Sequence, residues 1–213
     1  MVMGYAGQLA NSRHLSDDER QKATMIVKQS ARMKNLINDL NLASKLEYAM
    51  QPITKRKENA VAVVRQVVVD FVNAGMQEGF SIVWETDDNL RVCTICADKN
   101  LLKRAISNLV WNCIIHNEGG CTIYVSVRAA GDNCVIRVED DGVGASTCEI
   151  EKLNRAPHYM ICDTSTAEQR HGLGLLIVKQ IIGAHGGAVK IDKSPHGGFM
   201  VLLTLPQQKA DVE

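Results

Sequence analysis

The pair Gln51-Pro52 divides this chain into two textures that no single repeating architecture accommodates. Before it, from Asp17 to about Tyr48, the apolar residues Ile26, Met33, Leu36, Ile37 and Leu40 recur at spacings of three, four and seven, with Leu46 extending the row. That is the stripe of a helix packing in a bundle. Proline disfavours helix at the residue before it, so the helix ends at the pair. After Pro52 the pattern becomes short strand-like runs alternating with helical stretches, which calls for a sheet covered by helices.

Upstream of the long helix, Met1 to about Leu9 is short, apolar and helical in character, and the polar stretch Asn11 to Ser16 reads as a turn. Ser16-Asp17-Asp18-Glu19 supplies an N-cap and acidic first-turn residues, which satisfy free N–H groups and complement the helix dipole. Residues 1–51 therefore read as a helical hairpin. Such a hairpin either caps the next domain or forms half of a dimeric four-helix bundle, and the stripe fits both.

Within residues 52–213 the pattern predicts strands at Ile53–Lys57, Ser81–Glu85, Arg91–Ala97, Thr122–Arg128, Asn133–Glu139, Ala188–Asp192 and Met200–Leu205. Helices are predicted from Asn59 to Gln77, from the N-cap Asp98 to His116, and from Gly174 to His185. Tight turns at Ala129–Asp132 and Ser194–Gly198 imply a mixed, largely antiparallel sheet with its helices on one face. The fold class is thus α+β: a helical hairpin followed by an α/β sandwich. Residues 145–171 fit neither period and are expected to form one long loop. Loops of that length inside compact domains are usually functional lids or disordered inserts.

Composition narrows the function. Lys and Arg together number 24, as do Asp and Glu, so there is no charge excess for wrapping nucleic acid or lying on an anionic membrane. Any phosphate binding must be local. No apolar run reaches the roughly 18–20 residues needed to span a bilayer, and the start lacks the basic n-region of a signal peptide. Seven scattered cysteines suit a reducing compartment, which makes a cytoplasmic location the expectation. Cys93 and Cys96 have C-x-x-C spacing, but on a strand positions three apart face opposite ways, so ordinary packing is the reading preferred to a metal or redox role.

Three clusters carry the chemistry. Asp140-Asp141-Gly142-Val143-Gly144 puts a carboxylate at a strand end, where it can accept hydrogen bonds from a purine amine, with glycines that let backbone approach a ligand. The same residues would also make an ordinary turn. His171-Gly172-Leu173-Gly174 opens a helix, and free N–H groups at a glycine-rich helix start suit phosphate. Asn108, Asn112 and His116, spaced by four, share one face of a helix whose other side is apolar. Capping bonds and a satisfied core histidine would explain any one of them. An Asn side-chain oxygen is also a suitable neutral ligand for Mg²⁺ beside nucleotide phosphates.

Taken in order, N-L-V-W-N-C-I-I-H-N from Asn108 resembles the N box of sensor histidine kinases, D-D-G-V-G the G1 box and G-L-G-L-L-I-V-K-Q-I-I the G2 box. The run H-G-G-A-V-K-I-D-K-S-P-H-G-G-F-M-V-L-L-T-L-P is similar to that family's closing hairpin. R-M-K-N-L-I-N-D-L-N-L-A-S-K-L-E is similar to the second helix of its dimerisation and histidine phosphotransfer module. The resemblance covers nearly the whole chain. It implies an α/β sandwich of the histidine kinase and gyrase type, binding ATP and Mg²⁺ as the catalytic core of a protein-histidine kinase. Asn112 would hold Mg²⁺, Asn108 would support the phosphates, and Asp140 would bind the adenine amine. Gly142 and Gly144 would shape the adenine pocket, His116 would lie against the ring, and Gly172, Leu173 and Gly174 would meet the phosphates. Implied partners are a response regulator receiver domain and a second copy through the hairpin, with no nucleic acid and no membrane contact in this fragment.

The departures from the family pattern also generate expectations. None of the six histidines (14, 116, 158, 171, 185 and 196) stands in the family's H-E/D-x-x-x-P-L segment. The chain is therefore expected to bind ATP without phosphorylating itself, in a parent protein whose upstream sequence would carry any membrane anchor. Ile115 stands where many relatives have lysine. Gln169 and Arg170 replace a glycine pair, and Arg170 is expected to restore the missing phosphate cation. Tyr159 and Met160 are poor substitutes for the phenylalanine-rich lid box. The rival readings are a relative of the same superfamily with another output, such as a serine kinase or a topoisomerase ATPase, and a degenerate, non-catalytic interaction module.

Overall fold

The structure, a computed structural model, describes residues 16–47, 52–155 and 172–208. The expected helix and turn before Ser16, and the lid from residue 156 through Arg170 and His171, lie outside the described residues. The chain divides into two compact units, residues 1–45 and 46–213.

In the first unit, α1 (Asp17–Glu47) begins where the sequence places it. Ser16 Oγ accepts from Glu19 N at 3.4 Å while Glu19 Oε2 accepts from Ser16 N at 2.9 Å, a reciprocal capping box. Along this helix Met25, Ile26, Met33, Ile37 and Leu40 are all exposed.

The second unit contains β1 (Arg56–Asn59), α2 (Ala60–Asn73), β2 (Phe80–Trp84), β3 (Thr94–Ala97) and α3 (Lys99–His116). It continues through β4 (Cys121–Ala130), β5 (Asn133–Asp140), α4 (Thr147–Arg155), α5 (Gly172–Ala184), β6 (Ala188–Lys193) and β7 (Phe199–Pro206). Strands β2, β4, β5, β7 and β6 form a five-stranded sheet in that order, while β1 and β3 pair separately as a two-stranded ribbon. Only the β2–β4 pair of the large sheet is parallel. The mixed sheet with α2, α3 and α5 packed against it matches the expected class.

Alternation makes the core. Ile123, Val125 and Val127 of β4, Cys134, Ile136 and Val138 of β5, and Val201, Leu203 and Leu205 of β7 turn to the helices and are buried. They meet Val64 and Val67 of α2, Leu102, Ile106 and Leu109 of α3, and Ile177 and Ile181 of α5, also buried. Burial of each large aliphatic side chain contributes about 1.5–3 kcal/mol relative to exposure.

The strand expected at Ile53–Lys57 is found at Arg56–Asn59, and the helix expected to reach Gln77 ends at Asn73. Two further expectations need correction. The strand predicted from Arg91 begins only at Thr94, because the Asn59 side chain occupies the backbone groups before it. Its Oδ1 accepts from Cys93 N at 3.1 Å and its Nδ2 donates to Arg91 O at 3.0 Å, while the same Oδ1 caps α2 through Val61 N. Cys93 is therefore buried in a clamped coil rather than alternating along a strand with Cys96.

The second correction is the start of the long loop, which contains α4. Ser146 and Glu149 make the same reciprocal box as Ser16 and Glu19, with Ser146 N to Glu149 Oε2 at 2.8 Å and Glu149 N to Ser146 Oγ at 3.3 Å. The helix is docked at its far end. Asn154 donates to Ile191 O at 2.8 Å and accepts from Ile191 N at 2.9 Å, so its amide pairs with the free edge of β6 as a strand would. Lys179 of α5 donates to Leu153 O.

Candidate functional site

Helix α3 organises the site. Asp98 caps it, accepting from Asn100 N at 3.0 Å and Leu101 N at 3.2 Å. Its buried side is Leu101, Leu102, Ala105, Ile106, Leu109, Val110 and Cys113. The spacing of four puts Asn108, Asn112 and His116 along one face, and all three are half-buried. Asn108 Nδ2 is buried with no hydrogen-bond partner among the described residues, a donor whose desolvation they leave uncompensated.

Across from Asn112 lies the start of α5. A Cβ built on Gly174 would stand 3.3 Å from Asn112 Oδ1, so the glycine leaves the amide oxygen room at the helix entrance. Gly172 opens α5, and Leu173 and Gly174 follow half-buried in its first turn. The first N–H groups of a helix have no partner within it and carry the positive end of its dipole.

Asp140 ends β5 and is 3% exposed. Its Oδ1 accepts from Gly142 N at 2.9 Å and, more loosely, from Phe199 N at 3.4 Å. Burial first and the Asp140 charge second push the Cys113 thiol beside it well above the ordinary cysteine range. Cys113 is thus a neutral wall of the site beside a fixed carboxylate.

The glycine turn is fastened to the same helix end. Asn117 accepts from Val143 N at 3.0 Å through Oδ1 and donates to Cys113 O at 2.8 Å through Nδ2. A Cβ on Gly142 would lie 1.8 Å from that Asn117 oxygen, so only glycine fits. Gly144 has φ +64°, in the left-handed region, and a side chain there would meet the carbonyls of Gly197 and Gly198 at 3.1 Å. The β6–β7 turn packs beneath the carboxylate, since a Cβ on Gly198 would come within 2.2 Å of Asp140 Oδ1. Val143 is left 83% exposed.

The C-terminal half of α3 thereby touches both clusters named from the sequence: Asn112 reaches Gly174, and Cys113 and Asn117 reach Asp140, Gly142 and Val143. Arg170 lies outside the described residues. Three contributors escaped the sequence reading: Asn117, Cys113 and Gly198. Asn117, directly after a helix that ends at His116, was the one with a visible signal, because Asn favours helix ends and turns. Chemically the arrangement offers a buried carboxylate acceptor, an orphaned amide donor, an amide oxygen and the open N-terminus of a helix.

Comparison with known proteins bears on the family and the fold. Residues 97–209 match the family of histidine kinase-, DNA gyrase B- and HSP90-like ATPases. The sensor histidine kinase YvrG of Bacillus subtilis (strain 168) is 25% identical over 210 residues, covering 97% of this chain and 36% of that protein. The chain therefore spans about a third of that relative's length. Full-length ShkA, solved in complex with AMPPNP, superimposes with a TM-score of 0.76 at 23% identity, covering 98% of this chain and 43% of that one. Histidine kinase ThkA, solved in complex with the response regulator protein TrrA, gives a TM-score of 0.69 at 20% identity, covering 97% and 57%. The chain belongs to the histidine kinase-, DNA gyrase B- and HSP90-like ATPases and carries the ATP-binding catalytic domain of the sensor histidine kinase type.

Proposed function

We propose that this chain is the catalytic core of a sensor histidine kinase that binds Mg-ATP between the C-terminal half of α3 and the entrance of α5. The observation that carries the reading is the orphaned donor Asn108 Nδ2 together with Asn112 Oδ1 left clear by Gly174. A donor, a neutral oxygen and the N–H groups of a helix start on facing elements fit a magnesium-bound polyphosphate. In this arrangement Asp140 accepts a hydrogen bond from the adenine amine, and Gly142 and Gly144 allow the ring to lie close to backbone. His116 flanks the ring.

Asn108 donates to a phosphate oxygen, and the N–H groups of Gly172, Leu173 and Gly174 orient the phosphates. Asn112 holds Mg²⁺, which when bound supplies charge neutralisation. Arg170 adds the positive charge that Ile115 does not. Phosphoryl transfer depends chiefly on positioning and electrostatic stabilisation, which is what these residues supply. The acceptor is an imidazole in the H-box pattern that this sequence does not contain. From there the group passes to a response regulator receiver domain, a partner supported by the likeness to ThkA bound to TrrA.

Displacement of a fluorescent ATP analogue tests the site. ATP should displace it only when Mg²⁺ is present, and Asn112→Ala and Asp140→Asn should each weaken binding about tenfold or more, the loss expected for hydrogen bonds worth roughly 1.5–3 kcal/mol. Unchanged affinity in both variants would overturn the assignment.

A further inference from the structure

The face of the large sheet turned away from α2, α3 and α5 carries a second cluster. Glu139 precedes Asp140 on β5, so its side chain points to the opposite face from that buried carboxylate. Its side chain is 0% exposed, yet among the described residues neither carboxylate oxygen accepts a hydrogen bond. Its cross-strand neighbour is Tyr124. On that ring the His196 imidazole stacks at 3.8 Å and 7°, which fixes the plane in which its nitrogens lie. His196 Nε2 is 3.8 Å from Glu139 Oε1 and 3.8 Å from Glu85 Oε1, and one ligand atom from each of the three residues lies within 4.8 Å of the others.

Burial of a carboxylate without hydrogen bonds costs several kcal/mol unless a cation compensates. Arg137 compensates in part: Nη2 sits 2.7 Å from Glu85 Oε2 and Nε 3.2 Å from Glu139 Oε1. That contact holds both side chains in place: Glu139 Oε1, the oxygen facing His196, is shared with Arg137 Nε, while Glu85 Oε1 is left to other partners. Two carboxylates and one guanidinium leave a formal charge of −1 beside the imidazole.

We propose that Glu85, Glu139 and His196 form a binding site for a divalent first-row transition ion of the zinc class, separate from the nucleotide site. The donor set decides the class, because an imidazole with two carboxylates suits zinc and its neighbours, whereas Mg²⁺ prefers oxygen ligands alone and keeps its waters. Ligands at about 2.0–2.2 Å in a tetrahedral arrangement stand roughly 3.3–3.5 Å apart. The 3.8 Å separations therefore need only a small contraction around the ion. Arg137 acts as the outer partner that orients the carboxylates. Water completes the coordination. Since His196 lies in the β6–β7 turn that packs under Asp140, the ion also ties that turn to β2 and β5.

The test is titration of chelator-stripped, full-length protein with Co²⁺ and Zn²⁺ in excess Mg²⁺. One equivalent should bind, and the Co²⁺ spectrum should lack thiolate-to-metal charge transfer, which separates this site from the cysteines. His196→Phe keeps a ring on Tyr124 and removes the ligand nitrogen, and Glu85→Gln removes one carboxylate charge. Each should weaken binding about tenfold or more. Metal-free melting of His196→Phe and displacement of the fluorescent nucleotide in both variants serve as independent readouts and should not change, so loss of this site is distinguishable from failure of the nucleotide assignment. No stoichiometric binding, binding unaltered in His196→Phe, or a spectrum dominated by thiolate would each overturn the proposal.

Discussion

His185 joins two helix ends, with Nε2 accepting from Asp98 N at 2.9 Å and Nδ1 in contact with Ile181 O at 2.6 Å. One nitrogen must accept and the other donate, so the ring is neutral. Burial pulls its pKa below the ordinary 6.5, aided by Lys55 and opposed by the Ile181 carbonyl and by Asp98. The unfolded chain therefore takes up this proton more readily than the folded one, and stability rises with pH across the window. The contribution is fully present above about 6.5 and declines as pH falls below it. Urea melts about one unit either side of that value should show it, and His185→Gln should remove the His185 part of the pH dependence. A variant with the same pH profile as the unaltered chain would refute this account.

At the level of elements, the sequence disclosed most where periodicity is long and caps are clear. Helix α3 runs from the cap Asp98 to His116 as expected, and Asn108, Asn112 and His116 share a face because a spacing of four requires it. Helix α4 was missed because a nine-residue amphipathic helix in polar sequence shows little apolar stripe; Ile150 is its one buried residue. Its signal was the Ser146-x-x-Glu149 box, the same pattern that correctly marked α1 at Ser16. The contacts of Asn117 with Val143 and of Gly198 with Asp140 were illegible for another reason: they join segments far apart in the chain, and no local propensity encodes them. Asn154→Ala should undock α4. Amide exchange across Thr147–Arg155 and at Ile191 should accelerate with the β4–β5 pair unaffected, the two lost hydrogen bonds being worth roughly 0.5–1.5 kcal/mol each. Uniform acceleration across the sheet would instead mean that α4 is part of the global fold.

For the molecule as a whole, the balance of charges leaves association to apolar surface. Among the described residues no helix is long and apolar enough to cross a membrane, yet α1 exposes Met25, Ile26, Met33, Ile37 and Leu40. Ile26, Met33, Ile37 and Leu40 keep the three, four and seven spacing of a bundle seam. Self-association through this helix is the expected outcome, visible as a concentration-dependent mass in sedimentation, and Met33→Glu with Ile37→Glu should shift it to monomer while leaving nucleotide affinity intact. A monomer at every concentration before mutation would dispose of the idea.

Strand β7 comes last in the chain yet lies inside the sheet, between β5 and β6. The hydrophobic interior therefore stays open until β7 joins, and β6 has no place in the sheet without it. Because Phe199 and Gly198 belong to that same closing segment, the floor under Asp140 is also among the last parts to be laid. A chain truncated before Phe199 would lose the central strand β7 together with the floor under Asp140, and should fail to bind ATP rather than bind it weakly.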